Sequence, residues 1–78
     1  MIVKPLTAEI ALSTANDVSL ANRVRIYNDT AGAVLITNTV TGGSFTMPAG
    51  SIVFLEKNSV ETLTASAAVK ATSVAIRG

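Results

Sequence analysis

Residues 42–57, GGSFTMPAGSIVFLEK, decide the fold class. They contain two runs of β-favouring residues, Ser44–Met47 and Ser51–Lys57, separated by Pro48-Ala49-Gly50. Proline fixes its own φ and glycine accepts a positive φ, so this tripeptide is typical of a tight corner. The second run contains Ile-Val-Phe-Leu, the most apolar β-favouring run in the chain. We therefore predict a β-hairpin here, at the centre of a small β core.

Length and composition limit the ways in which the chain can be stabilised. The 78 residues allow one domain, residues 1–78, with a small core. The absence of Cys and His removes disulfides, thiolate metal sites, the commonest metal ligand and the usual general base. The acidic pair Glu56 and Glu61 is expected to be solvated rather than catalytic. We therefore expect no enzymatic activity and no cofactor, and expect support from oligomerisation or from docking on a partner.

The charge content is low and nearly balanced. Charged residues make up 14% of the chain, against roughly 25% in ordinary soluble domains. The net charge of +1 gives no basic footprint for nucleic acid or anionic lipid, and no run of ~18 apolar residues predicts a membrane span. The N-terminus has no clear signal-peptide layout. A charge-poor surface tolerates being covered by protein; a Thr-rich surface that needs no partner explains the composition equally well.

The clearest alternation lies in residues 22–28, NRVRIYN. Val24 and Ile26 point to one side of the predicted strand and are core candidates. The opposite side is a candidate binding face for acidic or planar groups, although arginines on the wet face of a strand are usually just solvated. The candidate residues on this face are Arg23, Arg25 and Tyr27.

The N-terminal residues Met1, Ile2, Val3 and Lys4 form a short, mostly apolar segment that Pro5 ends. Since proline cannot donate to a ladder, the segment is either an edge strand or an arm (residues 1–5). An arm with unpaired backbone groups can add as a strand to a neighbouring subunit. A frayed terminus explains the same segment equally well.

The remaining turns and runs complete an all-β pattern. Thr7–Ser13 is predicted as a strand, and Tyr27–Thr37 as a hairpin closed around Asp29–Gly32. The last strand, Ala67–Arg77, changes the phase of its apolar residues, which predicts a β-bulge near Thr72-Ser73. The chain therefore predicts a small antiparallel β-sandwich or barrel of about six or seven short strands. The predicted core residues are Val24, Ile26, Val34, Ile36, Phe45, Ile52, Phe54, Leu63, Val69, Val74 and Ile76.

From Gly43 to Ile76 the chain reads GSFTMPAGSIVFLEKNSVETLTASAAVKATSVAI. This pattern resembles small virion proteins of tailed bacteriophages, especially phages of marine bacteria and cyanobacteria. The likeness covers roughly Ile26 to Ile76 and consists mostly of turn chemistry and β alternation: a PAG corner, an apolar strand, an ETLTAS segment and a closing VKATSVA strand. Val60-Glu61 departs from the commoner Thr-Asp pair, which affects no active site because the resemblance implies none.

The resemblance implies a structural β protein of the virion, assembled in the host cytoplasm. The first expectation is a capsid decoration (cement) protein that binds the outer surface of the shell and bridges neighbouring subunits. Its partner would be the major capsid protein or another virion protein, and it would be a homo-oligomer or present in many copies on a lattice. The alternatives are a neck, tail or fibre-attachment component, and a free β-sandwich module that recognises a glycan or a host protein.

Overall fold

The computed structural model describes the backbone of residues 2–77 and the side chains of residues 3–75. The described chain contains no helix; its strands pair antiparallel in two sheets, which confirms the predicted all-β, sandwich-like class. The strands are β1 (Ile2–Pro5), β2 (Ile10–Leu12), β3 (Arg23–Tyr27), β4 (Val34–Asn38), β5 (Ser44–Met47), β6 (Ile52–Glu56), β7 (Leu63–Ala65) and β8 (Val69–Arg77).

The larger sheet has the order β1-β8-β3-β6, and β2 pairs with the first residues of β8. The smaller sheet has the order β5-β4-β7. The core lies between the sheets because the alternating apolar residues of both sheets point inward. Its buried members are Leu12, Val18, Ala21, Val24, Ile26, Val34, Ile36, Met47, Leu63, Val69 and Ala71.

The two predicted hairpins are wrong, because both corners carry the chain from one sheet to the other. β5 pairs with β4 and β6 pairs with β3, so Pro48-Ala49-Gly50 connects the sheets. The connection from β3 to β4 across Asp29–Gly32 does the same. Turn residues specify a change of direction but not the strand that pairs afterwards. The hairpin lies instead between β4 and β5, where Gly42 has a φ of 77°.

The register of β6 differs by one residue from the prediction. Val53 and Leu55 pack against the core, whereas Ile52 and Phe54 are 48% and 36% exposed. Four consecutive apolar residues carry no phase of their own, so pairing with β3 decides which two point inward. Phe45 does point towards the core face but remains 37% exposed at its edge, so it too is not a buried core residue.

The predicted bulge in β8 is absent. β8 pairs with β3 in unbroken register from Lys70 to Ser73, so Val69 and Val74 lie on opposite faces of the sheet. Val74 is buried but lies outside the main core cluster, where it pairs with Pro5 of β1. Of the other predicted core residues, Ile76 lies outside the described side chains. Six predicted core residues are confirmed as members of the main core: Val24, Ile26, Val34, Ile36, Leu63 and Val69.

β1 is an edge strand rather than a free arm. Ile2–Pro5 pairs antiparallel with β8 of the same chain, and the Leu6 amide continues the ladder to the Ser73 carbonyl (2.8 Å). The expectation that this segment offers a wholly unpaired backbone is therefore wrong. Met1 lies outside the described residues.

A left-handed turn connects β2 to β3. Val18, Ser19 and Leu20 have φ values of 52°, 59° and 57°, which L-residues adopt only at a cost. The Asn16 and Asp17 side chains accept hydrogen bonds from the amides of Val18 and Leu20. In return Val18 is buried in the core, so packing and these two hydrogen bonds offset the backbone strain.

Candidate interaction surface

The face of the larger sheet that points away from the core carries all three side chains predicted on β3. We call this surface the outer face. It consists of Arg23, Arg25, Tyr27, Ile52, Phe54, Glu56, Lys70 and Thr72. Sequence reasoning missed Ile52 and Phe54, since no signal in a run of four apolar residues distinguishes the outward-pointing pair.

The arginines of the outer face already have acidic partners. Arg23 and Arg25 lie 3.4 Å from the carboxylates of Glu56 and Glu9 respectively. The Arg25 guanidinium also lies 6.0 Å from the centre of the Tyr27 ring, at the limit of a cation–π contact. Such exposed ion pairs contribute little to stability. Each arginine therefore already has an acidic partner within the chain, beside the exposed apolar side chains of Ile52 and Phe54.

A shallow groove next to the outer face brings Val3 and Arg25, two of the predicted site residues, together. The groove has a volume of about 460 Å³ and is also lined by Pro5, Thr72 and Val74. β8 lies between β1 and β3, which explains how residues distant in sequence meet here. Lys4 does not line the groove and is exposed, and the side chain of Ile2 lies outside the description.

The two lateral sides of the sandwich differ. On one side the sheets are joined by backbone hydrogen bonds between Asn16 and Leu63 (3.0 and 2.9 Å) and from the Ala65 amide to the Ser13 carbonyl (3.0 Å). On the other side lie the edge strands β5 and β6, and no backbone hydrogen bond joins these two among the described residues. A groove of about 370 Å³ opens between them and exposes Phe45 and Leu55. This side of the molecule is therefore open.

The orientation of the backbone groups of β6 follows from its pairing with β3. The amide of Lys57 donates to the carbonyl of Asn22, and the amide of Asn28 donates to that of Ser51. Hydrogen-bonded and non-bonded pairs alternate along an antiparallel ladder, so Val53 and Leu55 exchange bonds with β3. The amides and carbonyls of Ile52, Phe54 and Glu56 consequently point to the open edge.

Two polar clusters are buried near the connections. The Asn28 side chain is fully buried and donates to the carbonyls of Gly32, Met47 and Pro48 at 2.9 to 3.2 Å. Lys57 is buried too and donates to the carbonyls of Asn58 and Ser59. These interactions hold loops in place.

Burial lowers the pKa of Lys57 from 10.5, and the negative charges of Asp17 and Glu61 oppose this shift only in part. Glu61 itself is buried and accepts a hydrogen bond from the Asn58 amide (2.7 Å). The expectation that Glu56 and Glu61 are both solvated is therefore wrong for Glu61. Its carboxylate fixes the loop between β6 and β7.

Within residues 2–77, no group of three or more acidic side chains is placed to hold a metal ion. The same part of the chain contains no helix that is long and apolar enough to cross a membrane. Searches for similar proteins match the chain to no family model, no curated protein and no solved structure.

Proposed function

We propose that this chain is a structural protein of a phage virion, and that it decorates the capsid. In this role it binds the outside of the shell and bridges neighbouring capsid subunits. The observation that carries the proposal is the apolar centre of the outer face, where Ile52 and Phe54 stay exposed on a regular strand beside two arginines that have acidic partners within the chain.

Exposed apolar side chains are numerous for so small a domain. Single exposed apolar residues are common in soluble proteins, but a group on one sheet face indicates a surface that a partner covers. Of the large apolar residues that are exposed, Ile52 and Phe54 lie on the outer face, and those elsewhere on the surface are Leu6, Leu20, Leu35, Val40, Phe45 and Val60. The low charge content and the resemblance of residues 26–76 to phage virion proteins support the same role.

The mechanism is stabilisation by binding. A protein that binds the assembled shell and not its free subunits shifts the equilibrium towards assembly. Weak contacts repeated over a lattice add as avidity, so no single contact needs high affinity. The chemistry required is burial of apolar surface, which Ile52 and Phe54 supply at the centre of the outer face.

The test is to count copies of this chain in purified particles by quantitative mass spectrometry. A number comparable to that of the major capsid protein is the expected result. A far smaller number would place the chain at the neck, tail or fibre attachment. Absence from particles would overturn the virion role in favour of a free recognition module.

Particles that lack the chain give the functional readout. They are expected to lose their DNA at lower temperature or after milder dilution into low salt, and added protein is expected to restore them. Particles that are equally robust without the protein would contradict the cement role.

A further inference from the structure

We infer that β6 is an interface between two copies of this chain, which pair edge to edge about a two-fold axis centred on Phe54. The paired strands would join two five-stranded sheets into one continuous sheet. This inference concerns the protein on its own and does not depend on the proposed role in a virion.

Apart from the charge of Glu56 at its end, β6 lacks the devices that protect edge strands. Natural proteins block such edges with Lys or Pro, with bulges, or with very short strands. β1, at the opposite edge of the sheet, carries Lys4 and Pro5. β6 has the sequence IVFLE and five consecutive residues in regular register with β3, without Lys, Pro or a bulge. Its open edge is therefore ready to pair.

β6 is also complementary to itself. Antiparallel pairing centred on Phe54 places Phe54 opposite Phe54, Val53 opposite Leu55, and Ile52 opposite Glu56 of the second copy. The backbone groups that point to the open edge are those of Ile52, Phe54 and Glu56, and this register makes all three into exchanging, hydrogen-bonded pairs. Every residue of the strand then has a partner.

The placement of charged side chains favours the same register. Like charges directly opposite each other destabilise a sheet. In the proposed register each Glu56 keeps its ion pair with Arg23 and faces the uncharged Ile52 of the second copy. The two Arg25 side chains are separated by both Phe54 rings, since Arg25 pairs with Phe54 within each copy. A register centred on Glu56 would set the two carboxylates against each other, which disfavours that alternative.

The location of β6 in the sandwich also favours pairing. β6 borders the open side of the sandwich, where the groove beside Phe45 and Leu55 gives access to the core. The side chain of Val53 from the second copy would lie opposite Leu55 at the mouth of this groove. Pairing therefore covers apolar surface as well as satisfying backbone groups.

Cysteine crosslinking tests the register. The chain contains no Cys, so any disulfide formed by a single-Cys variant joins two copies. Opposed residues of a hydrogen-bonded pair have Cα atoms about 5.5 Å apart, within the range of a disulfide. Phe54→Cys is expected to crosslink almost completely under mild oxidation.

Ile52→Cys is the matched control, on the same strand and face and more exposed. The two Ile52 positions would lie about 13 Å apart along the paired strands, too far for a disulfide. If Ile52→Cys crosslinked as completely as Phe54→Cys, the disulfides would reflect random collisions between copies. That result would overturn the inference.

Sedimentation of the unmodified protein and of a charged variant gives a test that does not depend on disulfide geometry. The unmodified chain is expected to sediment as a dimer. Phe54→Glu places two carboxylates opposite each other at the two-fold axis, which is expected to prevent dimerisation. Arg25 lies beside the new carboxylate within each copy, so the chain is expected to stay folded as a monomer. Leu35→Glu is the control: it also replaces an exposed apolar side chain by glutamate, but on the smaller sheet, where Leu35 is 44% exposed. This variant is expected to remain a dimer.

Circular dichroism verifies that each variant is folded. The inference would be overturned if the unmodified protein were monomeric at all concentrations. It would also be overturned if the Phe54→Glu variant dimerised as well as the unmodified chain.

Discussion

The side chain of Asn28 connects both passages between the sheets. Its amide nitrogen donates to Gly32 in the first connection and to Met47 and Pro48 in the second, and its oxygen accepts from Thr30. The backbone of Asn28 adds bonds to Gly50 and Ser51. Asn28, the last residue of the alternating stretch 22–28, is therefore the point where two corners of the sandwich are held together.

Asn28→Ala is expected to lower the free energy of unfolding by about 2–4 kcal/mol, because it removes the hydrogen bonds from a fully buried side chain to three carbonyls. Denaturant unfolding measures the change. Asn58→Ala, at an exposed turn position, is the control and is expected to have little effect. Equal effects of the two substitutions would contradict the role assigned to Asn28.

Lys57 makes stability depend on pH in a defined direction. Its pKa is lowered in the folded state by burial, whereas the unfolded chain has the ordinary value of 10.5. Between the lowered pKa and 10.5 the unfolded chain binds more protons, so the free energy of unfolding rises with pH. Below that window both states hold the proton and the contribution is constant.

Comparison with Lys57→Met isolates this contribution. We expect the stability of the unmodified protein relative to the variant to increase as the pH rises from neutral towards 10.5. Urea unfolding at several pH values measures the difference. A difference that stays constant or falls with pH would show that burial does not lower the pKa.

The neighbouring strands β5 and β6 show that exposure depends on where a strand is placed. Met47 and Phe45 share one face of β5, yet Met47 is fully buried and Phe45 lies at the rim of the open groove. β6 turns its only aromatic residue, Phe54, away from the core. The largest side chains of the central stretch are thus not its main contributors to the core.

Met47→Ala is expected to cost about 2–5 kcal/mol because it creates an enclosed cavity. Phe45→Ala removes a larger side chain but leaves no enclosed cavity, so about 1–2 kcal/mol is expected from the lost apolar burial. Thermal or denaturant unfolding of both variants compares them on the same strand and face. A greater loss for Phe45→Ala would mean that the groove is closed in solution.

One lateral side of the sandwich is joined by hydrogen bonds and the other is open. The open side affects stability if a second copy covers it. If two copies pair through β6, folding is coupled to association and the stability rises with protein concentration. We expect the Tm of the unmodified protein to rise with concentration and that of Phe54→Glu to stay constant. Calorimetry at several concentrations measures both, and a constant Tm for the unmodified protein would contradict coupled dimerisation.

Alternation and turn residues determined much of the architecture. The strands at Arg23–Tyr27, Val34–Asn38 and Ser44–Met47 were predicted from local patterns, as were the all-β class and the inward direction of Val24 and Ile26. These features follow from the period of two and from the conformational limits of Gly and Pro, which act within a few residues.

Pairing and phase were decided only by the tertiary structure. Which strand follows a corner into which sheet depends on contacts distant in sequence, so the sequence pattern did not distinguish a hairpin from a passage between sheets. The phase of Ile52–Leu55 depends on the register with β3, because a slip by one residue exchanges the two faces of a strand. Both proposals depend on the exposed pair Ile52 and Phe54. The local sequence makes β6 apolar on both faces, and only the fold determines which face is left uncovered.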